Sequence, residues 1–270
     1  MAKISNEQRH QYFERIKPYK ETVDAVLKRE QSLLTVIKQD PAAAFKRLIL
    51  VDEMLNLTSN YIIINGISQS VLKVKNEDSL NDGRKSLYKS VIYLEEVVGN
   101  QVDAPFSDYE EKLAEIEPVD AARRYLLVRK MGLAIELLEN AYGDNTKWKW
   151  SFVELEGRFA AAAKNIVDLR NAVINTDPRS PSYEPTVYHL RLIKKLLMQA
   201  ADRYREKYEL STNLIDDFKQ GITFLSALRR LHIILGDREE AETVKKKLDI
   251  WSLKLESDIK KQQEFNQKKA

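Results

Sequence analysis

The residues best suited to recognition chemistry are Lys147-Trp148-Lys149-Trp150. Ammonium groups interleaved with indoles can stack nucleobases while touching phosphates, or hold a chain at a membrane interface. The competing reading is packing. Trp148 opens an apolar series, Trp148, Phe152, Leu155, Phe159, Ala162, Ile166, Leu169 and Val173, that steps alternately four and three residues. Such spacing is a heptad seam and asks for a partner helix at a shallow angle. Trp150 lies off the seam, on the side of Val153, Gly157, Ala160 and Ala161, where small residues admit a second helix. The expectation is therefore core packing for both tryptophans. Lys147, Lys149 and Trp150 stand as the candidate interaction residues.

Other reactive side chains are sparse and badly spaced for catalysis. The histidines, His10, His189 and His232, have no second histidine at helical ligand spacing. Glu7 and His10 form one Glu-x-x-His, where a di-iron bundle needs two plus two further glutamates. His232, among Leu231, Ile233 and Ile234, reads as a hydrogen-bonded core or boundary residue. With no cysteine there is no thiolate nucleophile, disulfide or cysteine metal site. Neither phosphate-binding glycine loop nor a nucleophile-elbow serine occurs. Residues 81–86, Asn-Asp-Gly-Arg-Lys-Ser, offer amides and cations to a phosphate, but read equally as a polar turn ahead of a helix. Asp216-Asp217 lacks further carboxylates on its helical face, positions 220 and 221 being Gln and Gly. No catalytic residue, metal ligand or cofactor is expected.

The charged runs neutralise themselves. Basic residues number 44 against 41 acidic, for a net charge of +3. Lys245-Lys246-Lys247 sits at helical spacing from Glu242 and Asp249, and Arg191, Lys194, Lys195 and Arg205 share a face with Asp202, Glu206 and Glu209. Each such pair adds about 0.2–0.5 kcal/mol and marks a solvated face rather than a nucleic-acid stripe. Nucleic acid is therefore not the expected partner.

The elements that must position these residues are helices. Only 8 glycines and 7 prolines punctuate 270 residues, too few for a strand-rich fold with tight turns. A helix is predicted over 6–37 on the seam Ile16, Tyr19, Val23, Val26, Glu30, Leu33, Ile37, with a kink or break before Pro18. Asp40-Pro41 caps a second helix, apolar on two sides and thus central to the N-terminal half. A polar break over 76–83 precedes a third, on Leu87, Val91, Leu94 and Val98, that stops at Gly99. A short helix between Pro105 and Pro118 and a long one over 119–142 follow, then the tryptophan-bearing helix. Three prolines within residues 175–185 make the one convincing linker. Helices over 186–209, 211–235 and 238–262 complete the chain, and the polar residues 262–270 should fray.

The fold expected is all-α: an elongated antiparallel bundle of seven to eight mostly long helices with coiled-coil-like seams. Its organisation would be an N-terminal bundle over 1–175, a Pro-rich linker or loop over 176–185, and a three-helix unit over 186–270, or else one continuous domain. The first residues lack the apolar run of a secretory signal, and no apolar stretch reaches about 18 residues. A cytoplasmic helical scaffold that binds another protein, with a homodimer as one form of partnership, is the function these features favour. A pocket inside the bundle, lined by Asn60, Asn65 and Gln69 of the second helix, would instead favour a ligand binder or enzyme. Binding to nucleic acid or an anionic membrane is the remaining alternative.

Overall fold

In the computed structural model Pro18 does not break the first helix. The structure describes residues 4–38, 40, 42–144 and 146–269. Helix α1 (Asn6–Ile37) starts at a capping box, in which Ser5 Oγ accepts from Gln8 N and Gln8 Oε1 accepts from Ser5 N. It then runs through Pro18 to Ile37. The seam is buried or half-buried at every expected position, Glu30 included. Asp40 steadies the entry to α2 (Ala43–Leu72) by accepting from Ala42 N; the expected helix-opening Pro41 lies outside the described residues. Helix α2 buries both expected faces, Leu48, Val51, Leu55 and Thr58 on one and Leu50, Met54, Leu57 and Ile64 on the other.

The polar break after α2 is shorter than the composition suggests. Lys73 takes the left-handed conformation (φ 57°), and Asn76 caps α3 (Glu77–Val98) by accepting from Ser79 N. Residues 81–86 are thus interior helix, and their amides are not free to cradle a phosphate. The expectation of a turn there fails because Asn76 supplies the cap several residues early. Gly83 lies where α3 meets its neighbours: a Cβ would lie 3.3 Å from Leu138 Cδ1 and 3.4 Å from Tyr61 Cβ.

Beyond α3 come a 3₁₀ turn at Phe106–Asp108, the short α4 (Glu110–Ala114), α5 (Ala121–Tyr142), α6 (Lys149–Asn165) and the short α7 (Leu169–Ile174). Helix α8 (Tyr183–Lys207) ends in a π-turn over Tyr208–Thr212, and α9 (Ile215–Leu235) and α10 (Arg238–Lys269) follow. The chain is all-α, with ten α-helices and no strand among the described residues. The tenth extends to Lys269, beyond the expected end at 262.

Contacts divide the chain into two compact units. One comprises Met1–Gly99, Lys112–Val119 and Leu126–Lys149; the other comprises Asn100–Glu111, Asp120–Tyr125 and Trp150–Ala270. In this division the Pro-rich segment falls inside the second unit, as turns closed by Ser180 N to Asp177 O and Tyr183 N to Ser180 O. In the first unit α1, α2 and α3 alternate in direction. Arg29 pairs with Glu53 while Gln8 reaches Val71 O, and Thr58 meets Gly83 while Arg47 meets Glu96. In the second, Lys207 with Asp217 and Lys194 with Asp237 set α8 against α9. Trp251 of α10 packs on Phe218.

Helix α6 is the centre of the second unit, buried from Phe159 through Asn165 and at Phe152, Val153, Leu155 and Gly157. Gly157 is where α8 and α9 come close: a Cβ there would lie 2.6 Å from Tyr204 Cε2 and 3.2 Å from Phe224 Cζ. The Tyr204 ring is stacked on Phe224 and has little room to yield. Gly157→Ala should therefore cost about 1–2 kcal/mol, overpacking outweighing the better helix propensity. A urea midpoint at or above the parent's would refute this close contact.

Candidate functional site

The Lys147–Trp150 segment splits between the two units. Gly143 ends α5 at positive φ (75°), and Trp148 N donates to Thr146 Oγ1, so the next helix begins only at Lys149. Trp148 therefore precedes α6 and is not the first position of its seam, contrary to the heptad reading. Its half-buried ring lies under the Arg84 guanidinium (3.8 Å) with Lys147 Nζ at 5.1 Å. The indole Nε1 is buried without a hydrogen-bond acceptor among the described residues. Lys147 is exposed, whereas Lys149 and Trp150 are half-buried in the first turn of α6. The seam also stops early. Asp168 caps α7 through Asn171 N, which breaks the helix over 166–168, and Val173 emerges to 43% exposure.

The buried ionisable groups are engaged within the fold. Glu30 accepts from Tyr93 Oη (2.6 Å) and from Lys89 Nζ (2.9 Å). His232 Nδ1 lies 3.0 Å from Asp237 Oδ2, the boundary role expected of it. Asp217 accepts from Lys207 Nζ and Thr212 Oγ1, fixing the π-turn rather than presenting a carboxylate. His189 is fully enclosed, with Nε2 3.1 Å from Ala163 O and the Tyr125 ring 5.9 Å away. Burial pushes its pKa down to about 4, the Ala163 hydrogen bond opposing and the Arg124 charge adding to the fall. Its imidazole is therefore neutral at pH 7, with Nε2–H as the donor.

Lys164, in the alanine run of α6, is the buried group with the most chemical potential. Burial lowers its ammonium to about 8, with Asp103 opposing and Arg230 assisting. A lysine so tuned holds a useful fraction of nucleophilic free amine. Here Nζ faces Ala104 O (3.4 Å) and the Tyr109 ring (4.9 Å). Beside it Asn165 Nδ2 donates to Gln101 O, and Arg230 pairs with Asp103. Together these contacts stitch residues 101–109 onto α6 and α9. Nor do the polar residues of α2 converge: Asn65 Oδ1 accepts from Asn76 N, Asn60 Nδ2 donates to Asn56 O, and Gln69 is exposed. Among the described residues no group of three or more His, Asp or Glu is placed to hold a metal ion. None of their helices is long and apolar enough to cross a membrane.

The basic runs have partners too. Lys247 reaches Asp202 (2.7 Å), Lys245 approaches Glu242 (3.8 Å) and Arg205 pairs with Glu209 (2.9 Å).

Some large apolar side chains are left open to solvent. On α5, Val128, Met131, Ile135 and Leu138 are buried, while Leu126, Leu133 and Leu137 are 56%, 54% and 45% exposed. The three leucines recur at steps of seven and four, one stripe along one face. Lys130, at the edge of this stripe, bonds Asp52 Oδ1 (2.5 Å) and Asn56 Oδ1 (2.9 Å) of α2. Asp52 and Asn56 share their α2 face with Ile49 and Ile63, both exposed, so apolar residues continue beside the leucines. The sequence signal for this surface was an α5 with apolar residues on two faces, Leu126, Leu133 and Leu137 besides Val128, Met131, Ile135 and Leu138.

The sequence matches the TP0443 family over residues 8–259. No curated protein and no solved structure matches the chain.

Proposed function

The chain belongs to the TP0443 family, and from that premise we propose that it is a helical interaction protein, a scaffold that binds another protein rather than a catalyst. The observation that carries the reading is the stripe of Leu126, Leu133 and Leu137 on α5, each about half exposed on a helix whose opposite face is already buried. Scattered surface leucines are ordinary, but aligned ones flanked by further isoleucines mark contact surfaces. Further support comes from Lys164, Glu30, His189 and Asp217, whose partners lie within the fold. A cytoplasmic setting belongs to the same proposal, in keeping with a sequence free of cysteine. Lys147, Lys149 and Trp150 are a secondary contact point in this reading, Lys147 being its exposed member.

The test is Leu133→Arg. Position 133 is exposed, so unfolding free energy should change by no more than about 0.5 kcal/mol. Affinity purification from the native cell with parent and variant as baits should then lose the proteins that the parent retains. Identical retention by both would sink the reading.

A further inference from the structure

We propose that the α5 stripe is covered by a second copy of this chain, packed antiparallel through α5 about a two-fold axis. The inference rests on the interaction reading above and names its partner. The charges beside the leucines select this occupant. On the flank away from α2, the stripe is bordered by Arg129 in the first half of α5 and Glu136 in the second, both exposed. They lie seven residues apart on one edge, about 10 Å along the axis, too far to pair with each other. When two such helices meet antiparallel, equivalent edges face one another and the halves exchange ends. Arg129 of each copy then faces Glu136 of the other. A parallel arrangement would set this edge against the Lys130 edge of the other copy and leave Arg129 and Glu136 without that exchange.

The other flank supports the same occupant. Lys130 is already neutralised by Asp52, so no unpaired cation opposes the approach of an identical surface. Helices α2 and α5 run in the same direction, since each turns its C-terminal half to the start of α3: Ser79 reaches Tyr61 O, and Tyr142 reaches Asn81. Ile63 therefore stands level with Leu137, each seven residues beyond the Asn56–Lys130 contact. Ile49 stands near Leu126 by the same register. An isologous pairing brings the Leu126 end of one copy against the Leu137 end of the other, apolar at both ends.

Charge exchange between the two positions tests this. The parent should sediment and scatter as a dimer of about 63 kDa at high micromolar concentration, falling towards the 31.3 kDa chain on dilution. Arg129→Glu and Glu136→Arg should each weaken association about tenfold or more, because each sets like charges opposite one another twice per dimer. The double variant Arg129→Glu/Glu136→Arg should restore it, a rescue that no contact within one copy produces at this spacing. A parent that stays at the monomer mass throughout overturns the proposal, as does a double variant no better than either single one. If the parent is monomeric and Leu133→Arg still loses captured proteins, the second copy is wrong and the interaction reading stands. If Leu133→Arg changes neither mass nor capture, both fall.

Discussion

Trp251→Ala is expected to remove about 3–5 kcal/mol of stability, the range for truncating a large buried aromatic. Trp251 is 2% exposed and ties α10 to the rest of the three-helix packing. Its ring lies 5.6 Å from Phe218, which is itself stacked on Tyr208 at 5.0 Å and 4°. Its edge fills the space above Gly221, where a Cβ would come within 3.3 Å of Cζ3. Arg205 and Lys247 place their cations 5.1 and 5.0 Å from the same ring, so truncation also strips a favourable surface from two charges. Trp251→Phe keeps an aromatic ring against Phe218 and much of the volume, and should cost less than half as much. Urea denaturation followed by circular dichroism checks both. An alanine variant within about 1 kcal/mol of the parent would show that α10 contributes little to this core.

The seam of α1 was readable in advance, because helical periodicity reports which positions turn inward whatever their chemistry. Even Glu30 obeyed it. The carboxylate keeps its place by accepting from Tyr93 and Lys89 of α3, partners that no local pattern of α1 names. Where spacing misled, a cap was responsible. The heptad through Trp148 and Val173 is continuous in type, yet Thr146 and Asp168 supply hydrogen bonds that start one helix late and begin another early. Periodicity counts apolar residues and is blind to such bonds.

The candidate surface was hidden for a different reason. Leu126, Leu133 and Leu137 are chemically equivalent to Leu138, Ile135 and Val128 on the same helix. Only tertiary packing decides which of two apolar faces is left over. Lys164 was missed because a lysine after four alanines reads as a solvated break in an apolar run. The small residues around it admit neighbours on every side, and the burial follows from them.

The enclosed imidazole of His189 makes stability fall with acid. In the unfolded chain a histidine titrates near 6.5, whereas in the fold burial holds His189 down to about 4. Between these values the unfolded state binds more protons, so stability rises with pH there. The contribution is fully present above pH 6.5 and is lost progressively as pH falls from 6.5 to 4. Its full size is about 3 kcal/mol, from roughly 1.4 kcal/mol per pKa unit. The neighbours reinforce the direction: Arg124 is buried beside it, with Nη1 donating to Ile166 O, and a second cation there would find repulsion rather than a partner. His189→Gln keeps a donor for Ala163 O and removes the titration. Urea unfolding at pH 7.5 and pH 5 should show the parent losing about 2 kcal/mol more than this variant, with carboxylate effects common to both cancelling in the difference. Equal losses in the two proteins would mean that His189 is hydrated, and the enclosure drawn around it by Ala163, Tyr125 and Arg124 would have to be abandoned.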